Sequence, residues 1–237
     1  MFKRAVILAG GRGTRLRPYT ISLPKPLMPI GDYPILEIIV RQLKNNGFLH
    51  ITMAVNHQAE IIQAFFGDGS KWGIKIDYSL EDKPLSTMAP LKLIDDLPND
   101  FLVMNGDVLT DLNFGDFYAN HVESKSIFTI SSFKRSIESE FGVLEVDSDD
   151  NALIGFKEKP VSIFDVSMGI YMVSKKVINY IPHNTFYGFD HLMIELIKNK
   201  ERPVVRKFDG YWLDIGRPVD YIQAIEEFDA MKEKLAL

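Results

Sequence analysis

The sequence contains no cysteine, which excludes a thiol nucleophile, a cysteine-ligated zinc site and a disulfide scaffold. It also lacks any apolar run near the ~20 residues that span a bilayer, and its first apolar run, 5–9, is too short for a signal-peptide core. Acidic residues outnumber basic ones by 32 to 27, and a net charge of −5 makes a poor surface for binding nucleic acid or anionic lipid. We therefore expect a cytoplasmic protein that contacts neither nucleic acid nor membrane.

The 237 residues otherwise have a globular composition, with 46% hydrophobic and 25% charged residues. In the first half, strand-like apolar runs alternate with helical patterns; strands are expected at 5–9, 51–55, 74–80 and 101–104, and helices at 34–46 and 61–66. Beyond about residue 125, strands are expected at 127–133, 142–146, 152–156 and 169–173, a hairpin turn at 147–151, and helices at 189–198 and 219–235. This order predicts a mostly parallel sheet covered on both faces, with a more β-rich second lobe.

A loop rich in glycine and arginine follows the first predicted strand, where residues 8–18 read LAGGRGTRLRP. Three glycines within four residues let the backbone approach a ligand closely, and exposed N–H groups in such a loop bind anions. Arg12, Arg15 and Arg17 add forked donors suited to phosphate. The loop is not a P-loop, because no Gly-Lys-Ser/Thr follows, and Leu16 stands where the dinucleotide fingerprint needs its third glycine. The alternative is a glycine turn with solvated arginines.

A single lysine, Lys25, stands between Pro24 and Pro26. Two prolines stiffen the backbone around it. A lysine held at a fixed point can meet a transferring phosphate with its ammonium group. Taken alone, the same tripeptide is also an ordinary surface turn.

Together, the 8–18 loop, Thr20 and the Pro-Lys-Pro element resemble the signature of the sugar-1-phosphate nucleotidyltransferases, the nucleotide-sugar pyrophosphorylases. The resemblance continues through Gly106-Asp107, 156–160 (FKEKP), 169–171 (GIY) and 212–216 (WLDIG), and so covers essentially the whole chain. The chain is most similar to the short bacterial members that act on mannose, heptose or N-acetylmuramate 1-phosphate. The resemblance implies one domain over residues 1–237 with a Rossmann-like three-layer α/β/α fold. Its central sheet would be mixed but mostly parallel, with a nucleotide-binding half at about 1–125 and a smaller β-rich sugar-binding lobe in the half at about 126–237.

The family implies a reaction in which a sugar 1-phosphate attacks the α-phosphorus of a nucleoside triphosphate and pyrophosphate leaves. Because the attacking phosphate is already ionised, catalysis is mainly positioning and charge neutralisation. Arg15, Lys25 and Asp107 are then the catalytic residues. Asp107 and Asp214 would bind Mg²⁺, the expected cofactor, which takes one or two carboxylates plus substrate phosphates. The expected partners are the nucleoside triphosphate and the sugar 1-phosphate, and homo-oligomerisation is left open.

The resemblance also assigns residues to each substrate. The nucleotide is assigned to Leu8, Ala9, Gly10, Gly11, Gly13, Thr14, Arg15, Glu81, Pro84, Ser86, Thr87 and Gly106. The sugar phosphate is assigned to Gly142, Glu158, Lys159, Ser167 and Gly169. At Ser167 the chain departs from the family's usual asparagine, which puts sugar recognition there in question.

The segment 85–89 also departs from the family, which has Leu-Gly-Thr-Ala-Gly there. Ser86 and Ala89 replace both glycines and Met88 is bulky, so we expect these side chains to stand where backbone normally approaches the base. Glu81 can accept hydrogens from guanine N1–H and N2–H₂, which favours GTP slightly; otherwise it is a solvated turn residue. A catalytically silent nucleotide-binding homologue is the alternative function, and Asp107 and the other charged site residues argue against it. A dinucleotide oxidoreductase is disfavoured by the missing third glycine.

Overall fold

The computed structural model describes residues 3–235. Its strands are β1 (Lys3–Leu8), β2 (Pro29–Ile30), β3 (Tyr33–Pro34), β4 (Phe48–Val55), β5 (Lys75–Leu80), β6 (Asp100–Asn105), β7 (Val108–Thr110), β8 (Phe128–Glu138), β9 (Val143–Val146), β10 (Leu153–Lys157), β11 (Val161–Ser174), β12 (Val204–Phe208) and β13 (Trp212–Asp214). Its α-helices are α1 (Ile35–Asn45), α2 (Ala59–Phe66), α3 (Phe114–Ser124), α4 (Phe189–Lys198) and α5 (Pro218–Met231). Short 3₁₀ helices lie at Thr14–Leu16, Tyr19–Ile21, Lys25–Leu27, Ser70–Trp72, Ala89–Leu93 and Lys175–Tyr180.

Within residues 3–235, seven strands form the central sheet, in the order β12-β8-β11-β6-β1-β4-β5. Strand β1 pairs in parallel with β4 and β6, β4 pairs in parallel with β5, and β8 pairs in parallel with β12. Only β11 runs antiparallel to both of its neighbours, β6 and β8. The prediction of a mixed, mostly parallel sheet is therefore confirmed.

Apolar side chains on both faces of the sheet create two cores. In β1, Ala5 and Ile7 join the core beneath α1, α2, α3 and α5, whereas Val6 joins the core beneath α4. The apolar positions predicted for the first helix, 35, 36, 39 and 43, are all buried in α1. Strands buried on both faces are typical of a parallel sheet between two helical layers. The predicted three-layer α/β/α fold is confirmed.

The helix α3 and the strand β12 were not predicted. Helix α3 begins after Asn113, whose side chain accepts the N–H of Asp116 at 2.9 Å, and it buries Phe114, Phe117 and His121. An Asn cap followed by apolar residues at helical spacing is a helix-start signal, but Gly115 and the polar positions between them weaken the pattern.

Two strands are longer than predicted. Strand β8 continues to Glu138, and β11 begins at Val161 rather than near 169. Their extra lengths, together with the antiparallel hairpin β9–β10 around the predicted turn at 147–151, form a β-rich arm, defined here as residues 134–166. The expected smaller lobe is thus an extension of central strands.

Several loops meet at the carboxyl edge of the parallel strands. Strand β1 leads into the glycine-arginine loop, β4 into Asn56, β5 into Glu81 and β6 into Gly106-Asp107. Open α/β sheets bind ligands at this edge. No helix in the described residues is long and apolar enough to cross a bilayer.

Candidate active site

The short ribbon β7–β13 brings Asp107 and Asp214 together. Asp107 directly precedes β7, and Asp214 ends β13 opposite Val108. The N–H of Ile215 donates to the carbonyl of Asp107 at 3.1 Å, which fastens the two loops. Two aspartates that are far apart in the sequence therefore share one site, as expected for a pair of metal-binding carboxylates.

Lys25 forms an ion pair with Oδ2 of Asp107. It begins a 3₁₀ helix after the extended Pro24, and only 10% of its side chain is exposed. The proline-flanked lysine thus lies in the site rather than on a surface turn. The other carboxylate oxygen of Asp107, Oδ1, is buried and has no partner within residues 3–235.

The charges around Asp214 are mixed. Burial, and then the neighbouring carboxylate of Asp107, raise the pKa of Asp214, while Lys25 and Arg15 oppose that rise. A Cβ on Gly216 would lie 3.4 Å from both the Arg15 guanidinium and the Asp214 carboxylate, so these two groups converge over this glycine. The centre of the site therefore holds two carboxylates between a lysine and an arginine.

These residues fit a magnesium ion. Mg²⁺ prefers oxygen ligands and keeps several waters, so two carboxylates suffice when substrate phosphates complete its coordination. Oδ1 of Asp107 is buried and accepts no hydrogen bond within the described residues, and Asp214 supplies a second carboxylate close to Asp107. No group of three or more His, Cys, Asp or Glu side chains with metal-binding geometry occurs in the described part of the chain. A cation here would therefore depend on substrate oxygens.

Two cavities border the pair of aspartates, and the one beside Asp107, of about 300 Å³, is called here the larger pocket. It is lined by Leu8, Gly10, Gly11, Asn56, Glu81, Pro84, Leu85, Ser86, Thr87, Asn105, Asp107 and Phe186. Of the residues predicted to bind nucleotide, the structure brings together Leu8, Gly10, Gly11, Glu81, Pro84, Ser86 and Thr87. Four lining residues were not assigned to the nucleotide from the sequence: Asn56, Leu85, Asn105 and Phe186. For Asn56 and Asn105, position at or just after a strand end was an available signal.

Glu81 forms part of the wall of the larger pocket. Its Oε2 accepts the N–H of Leu85 at 3.0 Å, and its Oε1 would lie 3.1 Å from a Cβ on Gly10. The side chain of Asn56 donates to the Glu81 carbonyl at 2.7 Å and fixes the strand end. Burial raises the pKa of Glu81, partly offset by the Leu85 hydrogen bond. Glu81 is therefore a held carboxylate at the pocket wall rather than a solvated turn residue.

The segment 85–89 is docked on the loop that precedes α4. The N–H groups of Met88 and Ala89 both donate to the carbonyl of Tyr187 at 3.0 Å. The N–H of Phe189 donates to Oγ1 of Thr87 at 2.9 Å, so the loop before α4 is held against this segment. Phe186, in the same loop, lines the larger pocket. Phe186 stays 60% exposed there.

This docking corrects one expectation. Met88 and Ala89 are buried in the core beneath α4, so they do not crowd the nucleotide pocket. Only Ser86 of the three altered positions lines it, and Ser86 has φ of +71°, the left-handed conformation that glycine adopts without strain. The chain thus keeps a glycine-like backbone at 86 while adding a hydroxyl.

The remaining residues predicted to bind nucleotide do not line the larger pocket; they are Ala9, Gly13, Thr14, Arg15 and Gly106. They determine the backbone path of the loops after β1 and β6. Ala9 is buried and its N–H donates to Ala54. Gly13 has φ of +60°, and a Cβ there would lie 2.9 Å from Thr20, whereas a Cβ on Gly106 would lie 3.2 Å from the Leu8 carbonyl. Thr14 begins the 3₁₀ helix that carries Arg15. Close packing accounts for the glycines at 13 and 106.

The predicted sugar-phosphate residues fall into two groups. Ser167 and Gly169 line a second cavity of about 200 Å³, called here the smaller pocket. Its remaining lining residues are Asn105, Arg135, Val166, Met168, Trp212 and Asp214. Gly169 has φ of +73°, and a Cβ there would lie 2.6 Å from the Asn105 amide.

Gly142, Glu158 and Lys159 lie instead on the arm. A Cβ on Gly142 would lie 3.1 Å from Oε2 of Glu158, so these two are adjacent. Glu158 and Lys159 are exposed, and Lys159 makes no hydrogen bond or ion pair within residues 3–235. The structure does not bring this group to the smaller pocket.

Comparison with known proteins identifies the family. The sequence model named Nucleotidyl transferase matches residues 4–230, so the chain belongs to that family. The chain is 35% identical to the D-glycero-alpha-D-manno-heptose 1-phosphate guanylyltransferase of Campylobacter jejuni, over 92% of this chain and 96% of that protein. It is 34% identical to the UTP–glucose-1-phosphate uridylyltransferase of a Synechocystis strain, over 94% of this chain, and spans 62% of that protein.

The fold has a counterpart among solved structures. The crystal structure of HddC from Yersinia pseudotuberculosis complexed with GMP-PN superposes with a TM-score of 0.71 and 27% identity, covering 95% of this chain and 99% of that chain. The family and this structural likeness agree with the Rossmann-like fold expected from the sequence.

Proposed function

We propose that the protein is a sugar-1-phosphate nucleotidyltransferase, joining a sugar 1-phosphate to a nucleoside triphosphate to give a nucleoside diphosphate sugar and pyrophosphate. One observation carries the proposal: Asp107 lines the larger pocket, Asp214 lines the smaller pocket, and the β7–β13 ribbon holds the two aspartates side by side. Asn105 lines both pockets. Two substrates could therefore meet at the charged cluster.

In this proposal the larger pocket takes the nucleoside triphosphate and the smaller pocket takes the sugar 1-phosphate. A phosphate oxygen of the sugar attacks the α-phosphorus, the bond from that phosphorus to the α–β bridging oxygen breaks, and pyrophosphate leaves with the bonding electrons. The attacking oxygen is already ionised, so no side chain has to remove a proton. Lys25 and Arg15 offset the charge that develops at the reacting phosphates, and N–H groups of the 8–13 loop bind the triphosphate.

We propose Mg²⁺ as the cofactor, held by Asp107 and Asp214 together with phosphate oxygens. When bound, it would neutralise negative charge on the reacting phosphates. The free Oδ1 of Asp107 supports this assignment, because a buried carboxylate oxygen without a partner is costly unless it has a ligand. Lys25 compensates part of the same charge from the Oδ2 side.

We propose a preference for GTP, which rests on Glu81. Guanine presents N1–H and N2–H₂ side by side, and a carboxylate can accept from both. Uracil and thymine offer a single N–H between two carbonyls, so Glu81 would face oxygen atoms. The named guanylyltransferase relative and the GMP-PN complex are in line with guanine, whereas the Synechocystis relative is named for UTP.

A catalytically silent, nucleotide-binding homologue is the competing function. The observation that favours it is Ser86, a serine in a left-handed conformation at the pocket wall. The charged cluster favours an enzyme, because a protein that only senses nucleotide has no need for two neighbouring carboxylates, one of which has a buried oxygen without a partner.

The deciding experiment is a grid of four nucleoside triphosphates against hexose and heptose 1-phosphates, with Mg²⁺, reading pyrophosphate release. We expect release with at least one pair, highest with GTP, and its loss when Mg²⁺ is chelated. The Asp214→Asn variant, checked for folding by circular dichroism, serves as the matched control. No release from any pair, with the triphosphates still binding, would support the silent homologue.

A further inference from the structure

The smaller pocket contains a cation that the sequence did not single out. Arg135 lines this pocket together with Ser167, Trp212 and Asp214. Among the described residues that line the pocket, Arg135 is the only one with a positive charge. Its guanidinium makes no hydrogen bond, ion pair or ring contact within residues 3–235. Arg135 is exposed, so its unpaired donors face solvent at the mouth of the pocket and are accessible to a ligand there.

The register of the sheet explains why Arg135 points into this pocket. Phe133 and Arg135 are two positions apart on β8 and therefore lie on the same face. The Phe133 ring packs on Trp212 with centroids 5.3 Å apart, which fixes this face toward β13. Strand alternation places Lys134, between them, on the opposite face, across from Asp165. Lys134 lines a separate groove, which Phe133 also borders. Of the two adjacent cationic residues, Lys134 and Arg135, only Arg135 therefore lines the smaller pocket.

The charge around the pocket favours an anionic ligand at Arg135. Lys25 is paired with Asp107, and Arg15 lies by Asp214, so both of these cations already serve the centre of the site. A dianionic phosphate that enters the smaller pocket beside the Asp214 carboxylate would be stabilised by a further positive charge, in addition to that of the Mg²⁺ proposed at the two aspartates. Arg135 and Lys159 are both exposed and both belong to the arm, but only Arg135 borders the smaller pocket. Lys159, the residue expected for this task, lies farther along the arm. Between Val161 and Ser167, β11 adds roughly 20 Å of extended chain between Lys159 and the pocket.

We propose that Arg135 binds the phosphate group of the sugar 1-phosphate in the smaller pocket. The assignment rests on the proposed function. A guanidinium can give two parallel N–H donors to phosphate oxygens, which fixes the orientation of the group as well as its charge. The pocket is smaller than those that hold drug-sized ligands and suits a monosaccharide. The Trp212 side chain, which also lines this pocket, would then lie next to the sugar.

The test compares Arg135→Ala with Lys134→Ala, which removes the same charge one residue away on the opposite face. Kinetics with the preferred substrates should show KM for the sugar 1-phosphate raised about 10- to 100-fold in Arg135→Ala, the loss expected for hydrogen bonds to a charged group. KM for the nucleotide should stay within about twofold, and Arg135→Lys should recover part of the loss. Lys134→Ala should match the unaltered chain. An unchanged KM in Arg135→Ala, or equal effects from both alanine variants, would overturn the assignment.

Direct binding separates this inference from the proposed function. Calorimetry with mannose 1-phosphate, a heptose 1-phosphate and inorganic phosphate needs no turnover. If the unaltered chain binds a sugar 1-phosphate and Arg135→Ala binds it at least about tenfold more weakly, the inference holds even when no pyrophosphate is released. If the unaltered chain binds none of these probes, the inference fails whatever the activity grid yields.

Discussion

Replacing Lys25 with methionine removes the ammonium group while keeping a long, flexible apolar side chain. Asp107 would then have no partner for either oxygen, because its Oδ1 already has none, and it would face Asp214 without its nearest cation. Breaking a buried ion pair costs about 3–5 kcal/mol. The side chains here are 10% and 20% exposed, so we take the lower end, about 3 kcal/mol. For a chain of this size that corresponds to a Tm lower by about 6–12 °C.

The pH dependence of this loss gives a second readout. Lys25 is one of the two cations that oppose the raised pKa of Asp214, so the variant should bind a proton at this carboxyl more tightly when folded than when unfolded. A raised folded-state pKa gives stability that is present below the unfolded pKa and lost as the pH rises through the folded pKa. The loss of free energy of unfolding in Lys25→Met should therefore be complete at pH 7. It should become smaller as the pH falls towards about 4, the ordinary pKa of a carboxyl group.

Thermal and urea unfolding, followed by circular dichroism, measure both effects. The matched control is Lys207→Met, which breaks an exposed pair with Asp165 and should cost less than about 1 kcal/mol. The double variant Lys25→Met, Asp107→Asn should regain most of the loss, since replacing both partners is far less costly than stranding one. A Lys25→Met protein that melts within about 2 °C of the unaltered chain, or shows the same deficit at both pH values, would refute the reasoning.

Asp107→Asn and Asp214→Asn should each lower kcat by roughly 10²-fold or more with an unchanged circular dichroism spectrum; near-normal Mg²⁺-dependent turnover in either would contradict its role. Glu81→Gln should reduce the ratio of kcat/KM for GTP to that for UTP by about tenfold. Because the pKa of Glu81 is raised, lowering the pH should reduce kcat/KM for GTP at a higher pH than an ordinary glutamate would. The Glu81→Gln variant should not show this reduction, and equal pH profiles for the two proteins would argue against a role for the carboxylate. Ser86→Gly, at φ of +71°, should change the free energy of unfolding by no more than about 1 kcal/mol and loosen base selectivity; a large gain in kcat/KM with all four triphosphates would favour the silent homologue.

The loops at the carboxyl edge could be predicted because their signals are local. Each of Gly10, Glu81 and Asp107 follows an apolar run that forms a strand, and parallel strands bring their carboxyl ends to one edge. The glycine-arginine loop and the proline-flanked Lys25 are also contiguous motifs. For these residues, the order of the chain and the geometry of a parallel sheet are enough to predict a shared site.

The remaining features depend on contacts between distant segments. Whether Met88 and Ala89 face the base or the core is decided by their hydrogen bonds to Tyr187, which no pattern within 81–90 encodes. The presence of Arg135 in the smaller pocket follows from the register of β8 with β11 and from the packing of Phe133 on Trp212. Register depends on the whole sheet, and a slip of one residue would bring Lys134 to the pocket instead.

The β7–β13 ribbon has a consequence for the newborn chain. Strands β1, β4, β5 and β6, with the loop that carries Lys25, are all complete by Asp107, whereas Asp214 is added about a hundred residues later. At about 5–20 residues per second, a ribosome needs roughly 5–20 s to cross that interval. For most of this time the emerging polypeptide carries most of the residues that line the larger pocket and one of the two carboxylates, but it lacks Tyr187, which holds the 85–89 segment in place. The pairing of two three-residue strands, β7 and β13, is therefore the folding step that brings the two aspartates together.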